Sequence, residues 1–179
     1  KNGETWVLLP GYIMNFAAGT YQLGLNQDWF KVKVSGLLNP LAPVTLSGAG
    51  WDSTIFRRED SSDSLVWETL GNSLILRDFK VENSFGGIKI GGNDYRGVLL
   101  SNLKFENNII HFFWPQQENS SGNTLPVILG QNLYLIGGEN GFEYGDFSGP
   151  TMSTKFIGLT NATLEGLSSI GIDPPVIYS

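Results

Sequence analysis

The sequence predicts an all-β chain wound as a right-handed parallel β-helix, a solenoid of about five to six coils with three short strands each. Two observations carry this expectation: a strand-length pattern recurs at intervals of 24 to 30 residues, and each copy holds Asn or Asp at the same place. Self-similarity at such a period marks a repeat architecture, in which each unit buries its apolar face only against its neighbours.

The copies begin with Leu74-Ile-Leu-Arg-Asp-Phe-Lys-Val-Glu-Asn83 and Val98-Leu-Leu-Ser-Asn-Leu-Lys-Phe-Glu-Asn107, offset by 24 residues. Ile128-Leu-Gly-Gln-Asn-Leu-Tyr-Leu-Ile-Gly137 follows at 30, and Ile157-Gly-Leu-Thr-Asn-Ala-Thr-Leu-Glu-Gly166 at 29. Upstream, Val44-Thr-Leu-Ser-Gly48 fits the same frame. Within a copy, Leu74 and Leu76 alternate, two residues turn, and Phe79 and Val81 alternate again; the equivalents are Leu103/Phe105, Leu133/Leu135 and Ala162/Leu164. Period-two alternation marks strands with one buried face. The turn residues are Asp78, Asn102, Asn132 and Asn161. Asn and Asp are the non-glycine residues that best accept a left-handed backbone, so one sharp bend per coil explains the column.

A third strand follows in each copy, with Ile88/Ile90, Phe112/Trp114, Phe142/Tyr144 and Ile170/Ile172 as its inward pairs. No stretch shows helical periodicity beyond one turn. A β-sandwich would also show short strands and turns, but it gives no reason for an Asn column at this spacing. Residues 1–43 are expected as an N-terminal lead-in and first coil, 44–173 as regular coils and 174–179 as a tail, all in one domain.

Composition agrees. The 179 residues hold 23 glycines, 41% apolar and 16% charged residues. A quarter charged is usual for soluble domains. Low charge with many small polar residues suits an extracellular or virion-surface protein. Net charge is −6, with no basic run longer than Arg57-Arg58, so nucleic acid is not an expected partner. No apolar run approaches the ~20 residues of a membrane span. The chain has no cysteine, which excludes disulfides and thiolate metal sites. Its start, Lys1-Asn-Gly-Glu4, reads as a processed chain or an excised domain.

The pattern apolar-x-apolar-x-Asn/Asp-apolar-x-apolar resembles the pectin lyase-like β-helix superfamily. Val44-Thr-Leu-Ser-Gly-Ala-Gly-Trp-Asp-Ser-Thr-Ile-Phe56 is similar to a coil near the start of many of its members, and Gly19-Thr20-Tyr21 to their first strand. The resemblance covers roughly residues 16–172 and speaks for fold more than activity, since one fold hosts many functions. Pectate lyases, pectinesterases, polygalacturonases, phage tailspikes and non-catalytic surface proteins share it. It implies a glycan lying along the outer face of one sheet, walled by long loops. Those loops are expected at 91–97, 115–126 and 145–155.

Candidate residues follow from that place. Lys89, His111, Phe113 and Glu143 are read as outward positions of the third strand, with stacked coils about 4.8 Å apart. Lys89 and Phe113 would bind sugar, and His111 and Glu143 would be the acid or base if there is catalysis. The plainer alternative is a mixed solvent face, and a lone histidine is more often structural. Trp51, beside Gly48-Ala-Gly50, is the best sugar-stacking platform among five tryptophans, with loop packing as its alternative; Trp67 and Trp114 fall on inward frames. Arg96 is a further binding candidate, and Arg77 and Arg96 are isolated candidates for the arginine that the resembled lyases use.

Glu82 and Glu106 occupy one place in consecutive coils and resemble the paired carboxylates of glycoside hydrolysis. Lys80 and Lys104 beside them favour a solvated charge checkerboard instead. Glu59, Asp60 and Asp63 offer oxygens to calcium, but neighbouring Arg57 and Arg58 oppose a cation, and no cofactor is expected. Asn119-Ser-Ser and Asn161-Ala-Thr match a glycosylation acceptor, although Asn161 is committed to the ladder.

The His-Gly, Asp-Asp and Arg-x-Lys signatures of the resembled enzymes are absent, as is their acidic calcium cluster followed by an arginine. The expected function is therefore polysaccharide recognition, tailspike-like or adhesin-like. A compact polysaccharide lyase or glycoside hydrolase is the alternative, and a purely architectural module the second. A homotrimer or other homo-oligomer is compatible with the exposed ends of such a stack.

Overall fold

The computed structural model describes residues 5–23, 30–34, 43–58, 65–70, 74–91, 98–114, 127–144 and 156–169. It is an all-β structure with fourteen strands and no helix among the described residues. They are β1 (Thr5–Leu8), β2 (Ile13–Asn15), β3 (Gly19–Leu23), β4 (Phe30–Val34), β5 (Val44–Ser47), β6 (Thr54–Arg58) and β7 (Leu65–Leu70). Then come β8 (Leu74–Glu82), β9 (Gly86–Gly91), β10 (Val98–Glu106), β11 (Ile110–Trp114), β12 (Val127–Ile136), β13 (Asn140–Tyr144) and β14 (Phe156–Glu165).

Two sheets run through the molecule. One has the order β1-β4-β7-β9-β11-β13; the other has the order β14-β12-β10-β8-β5-β2, with β3 and β6 joined to it beside β8. Every pairing is parallel, including β1 with β4 and β2 with β5, so the first residues continue the same sheets as the rest.

The repeat alignment is the sheet register. Val98 stands opposite Leu74 and Ile128, and Ile128 opposite Ile157. Val44 stands opposite Leu74, as its frame predicts. On the six-stranded sheet, Phe112 lies between Ile88 and Phe142, and Trp114 opposite Tyr144. The side chains of Trp67 and Trp114, like the strand expected at Ile170/Ile172, lie outside what is described.

Inward positions line up across strands and make a continuous core. Leu46, Leu76 and Leu100 form one column, and Phe79, Leu103 and Leu133 a second. Phe56, Val81, Phe105 and Leu135 form a third, and each of these side chains is essentially inaccessible to water. The Ala162/Leu164 pair departs from the expectation: Leu164 is exposed and Ala162 only half-buried. Their strand, β14, ends the sheet order and has a neighbour on one side only. The frame is right, but among the described residues no further strand covers it.

The turn column is left-handed throughout. Asp78, Asn102, Asn132 and Asn161 have φ of 63°, 54°, 53° and 54°. Their side chains stack as hydrogen bonds: Asn102 Nδ2 donates to Asp78 Oδ1 at 2.7 Å, and Asn161 Nδ2 to Asn132 Oδ1 at 2.7 Å. Asn161 is thus engaged although exposed. This turn column bends each long strand at its middle, and a second left-handed column follows its last residue, at Asn83, Asn107, Gly137 and Gly166, with φ of 54°, 55°, 65° and 66°. Both columns put the strained angle on residue types that tolerate it.

Candidate functional site

Trp51 is carried by a tightly held turn between β5 and β6. Gly48 N donates to Arg77 O, and Gly50 N to Asp78 O at 2.9 Å. Thr54 N returns to Gly50 O, and Thr54 Oγ1 accepts from Ala49 N. A Cβ at Gly48 would stand 2.2 Å from Asp78 O, so only glycine lets the turn approach the strand this closely. The turn therefore begins against β8, yet its indole reaches the third strand along. Trp51 and Tyr134 of β12 meet edge to face, with ring centres 4.6 Å apart and planes at 89°. Trp51 Nε1 donates to Asp52 Oδ2, which fixes the indole from its own loop. Both rings are half-buried, and together they make an aromatic corner on the outer face of the eight-stranded sheet.

Beside that corner lies a charge ladder. Tyr134 stands opposite Lys104, Lys104 opposite Lys80, and Glu106 opposite Glu82. Lys80 Nζ reaches Glu82 Oε2 at 2.5 Å and Glu106 Oε2 at 3.2 Å. Lys104 Nζ reaches Glu106 Oε1 at 3.2 Å, and Arg57 donates to Glu82. The sequence suggests a solvated checkerboard here; instead the Glu82 side chain is only 6% exposed. Burial alone would raise the pKa of Glu82, but hydrogen bonds from Lys80 and Arg57 outweigh it and hold it below the usual carboxylate value. Glu106 is lowered in the same way, its burial overridden by Lys104 and Lys80. Burial also works against the charge on Lys80, and its two glutamate partners more than offset this, raising its pKa. Both carboxylates are thus ionised near neutral pH. Neither is placed to give up a proton, as one member of a glycosidase pair must.

His111 requires a correction. It is expected on the outer face, but the structure buries it completely. Its Nδ1 lies 3.2 Å from Asn108 Nδ2, and its Nε2 lies 2.7 Å from Gly137 O. Asn108 uses its amide oxygen to accept from Ser84 N and Ser84 Oγ, so its nitrogen is the donor to Nδ1. The imidazole is therefore neutral, with its proton on Nε2 directed at the Gly137 carbonyl. Burial pushes its pKa down to about 4, against the smaller upward pull of that carbonyl. The reason for the inward turn lies in the register: the residues in line with His111 on β9 and β13 are Gly87 and Gly141. Glycine on either side leaves volume for one ring, and period-two alternation does not hold at the strand's first residues. A sealed, neutral imidazole occupied by two partners offers no acid or base to a ligand outside.

The remaining candidates divide by position. Lys89, Phe113 and Glu143 fall on one line across β9, β11 and β13, as expected, although their side chains lie outside what is described. Arg96, the 115–126 and 145–155 loops, Asn119, and the Glu59, Asp60 and Asp63 oxygens lie outside the described residues. Arg77 is half-exposed and pairs with Asp78 at 3.6 Å. Among the described residues there is no group of three or more acidic or histidine side chains able to hold a metal ion, and no helix long and apolar enough to cross a membrane. Tyr134 is the residue that sequence reasoning missed; its only signal is an aromatic in an outward column that also holds Ile55, Lys80, Lys104 and Thr163.

No protein-family model, curated protein or solved structure matches the chain.

Proposed function

We propose that this chain is a carbohydrate-recognising surface module. On this reading its parallel sheets are the faces of a right-handed β-helix of three-strand coils, akin to the pectin lyase-like superfamily, working outside the cell or on a virion. The observation that carries it is the Trp51–Tyr134 corner. Two rings at right angles present apolar faces to the C–H face of a pyranose, and stacking of this kind is the usual way a protein holds a sugar's less polar side. Lys104 and Glu106, one strand away, supply a donor and acceptors for its hydroxyls. Strands about 4.8 Å apart match the length of a sugar ring, so successive sugars meet successive strands. The Lys89–Phe113–Glu143 line offers a second track on the other sheet, and its shared register favours it.

Titration calorimetry with oligosaccharides chosen from a glycan array tests the reading. Trp51→Ala or Tyr134→Ala should weaken binding about tenfold while leaving the fold intact. Unchanged affinity in both variants would remove the corner as the site. Release of new reducing ends by the unaltered chain would favour the lyase or hydrolase alternative.

A further inference from the structure

The outer face of the eight-stranded sheet carries an apolar line that neither the core nor the aromatic corner uses. Leu74 and Leu76 point inward, so Ile75 between them belongs to the outer face. The register places Ile13, Thr45, Ile75, Leu99, Leu129 and Gly158 in one row across six strands. At about 4.8 Å per strand the row is roughly 24 Å long. Ile13 is 55% exposed, Leu99 38% and Leu129 46%, whereas Thr45 between them is buried and Ile75 partly covered. Leu9 and Tyr12, in the turn leading into β2, are exposed as well, and Tyr12 O accepts from Thr45 N at the head of the row. Of the large apolar side chains exposed among the described residues, only Leu164 lies elsewhere.

From this placement we infer that the row is a self-association surface, covered by a second copy of the chain. Area is the first argument. At about 200 Å² for a fully exposed large side chain, Ile13, Leu99 and Leu129 together with Leu9 and Tyr12 present roughly 500 Å² of apolar surface, within the range of a monomer's largest and often functional patch. With the exposed side chains of the neighbouring row, Asn15, Arg77, Gln131 and Thr160, the face approaches the ~800 Å² each partner gives to a stable interface.

Charge is the second. The two rows hold one ionic side chain, Arg77, and it is paired with Asp78. Two copies that each carry −6 repel across most approaches, and this neutral face is where they meet without that cost. Lipid is a poorer match, because membrane-binding faces flank their apolar surface with several cations. The surface is also separate from the aromatic corner, being divided from it by the Asp78–Asn102–Asn132 turn column, so assembly leaves Trp51 and Tyr134 free.

Sedimentation equilibrium at micromolar concentration provides the test. The unaltered chain should sediment as an oligomer, and Leu99→Lys with Leu129→Lys should weaken association at least about tenfold, since both lysines would face their counterparts across the seam. A monomeric unaltered chain, or an oligomer indifferent to the substitutions, would overturn the inference. Should the double variant fold poorly, the absence of cysteine allows a second measurement. A single nitroxide on Gln131→Cys should show intermolecular dipolar broadening, and its absence would equally overturn the inference.

Discussion

Acidification should destabilise the protein through one buried ring. His111 is neutral, enclosed, and hydrogen-bonded to Asn108 and to the Gly137 carbonyl. Its folded pKa is about 4 against 6.5 when free. Between those values the unfolded chain binds a proton that the folded chain refuses, so stability is complete above pH 6.5 and falls as pH drops toward 4. The loss is about 2 kcal/mol at pH 5 and approaches ~3 kcal/mol below pH 4. Glu82 and Glu106 work in the same direction but later, because their lowered pKa values make their contribution fade only as pH falls below the ordinary carboxylate range. The interval from pH 6.5 to 5 therefore belongs to His111. Urea denaturation at half-unit pH steps should show a midpoint that declines through this interval, and His111→Gln should flatten the decline. NMR can follow the same residue directly, as the chain has one histidine. An imidazole titrating near 6.5 in the folded protein, or a variant with the same pH dependence, would refute the reasoning.

Further expectations rest on the turns and the core. Asn102→Ala should destabilise by roughly 1–3 kcal/mol, combining a left-handed φ of 54° with loss of the bond to Asp78, whereas Asn102→Gly should cost less; thermal melts that cannot tell the two apart would refute the ladder. Leu103→Ala or Leu133→Ala should cost about 2–5 kcal/mol in denaturant titrations, since each side chain is fully buried between in-register neighbours, and a loss well under 1 kcal/mol would deny that packing.

What could be read from the sequence was whatever repeats. Inward columns and the Asp78-to-Asn161 turn recur at fixed offsets, so the alignment of copies became the strand register. The second turn column was equally present but hidden, because Asn83 and Asn107 give way to Gly137 and Gly166 and two residue types share one backbone angle. His111 was misplaced by extending alternation to a strand's first residues, where flanking glycines let the ring turn in. The Trp51–Tyr134 contact had no local signature at all. It depends on how far a turn leans across two neighbouring strands, and nothing in either residue's surroundings along the chain encodes that reach.

The most direct test of the account is a crystal structure of the protein soaked with an oligosaccharide that a glycan array shows it binds. A pyranose in van der Waals contact with Trp51 and Tyr134, its hydroxyls toward Lys104 and Glu106, is the predicted result. A sugar seated on the Lys89–Phe113–Glu143 line alone, or no glycan bound anywhere, would contradict it.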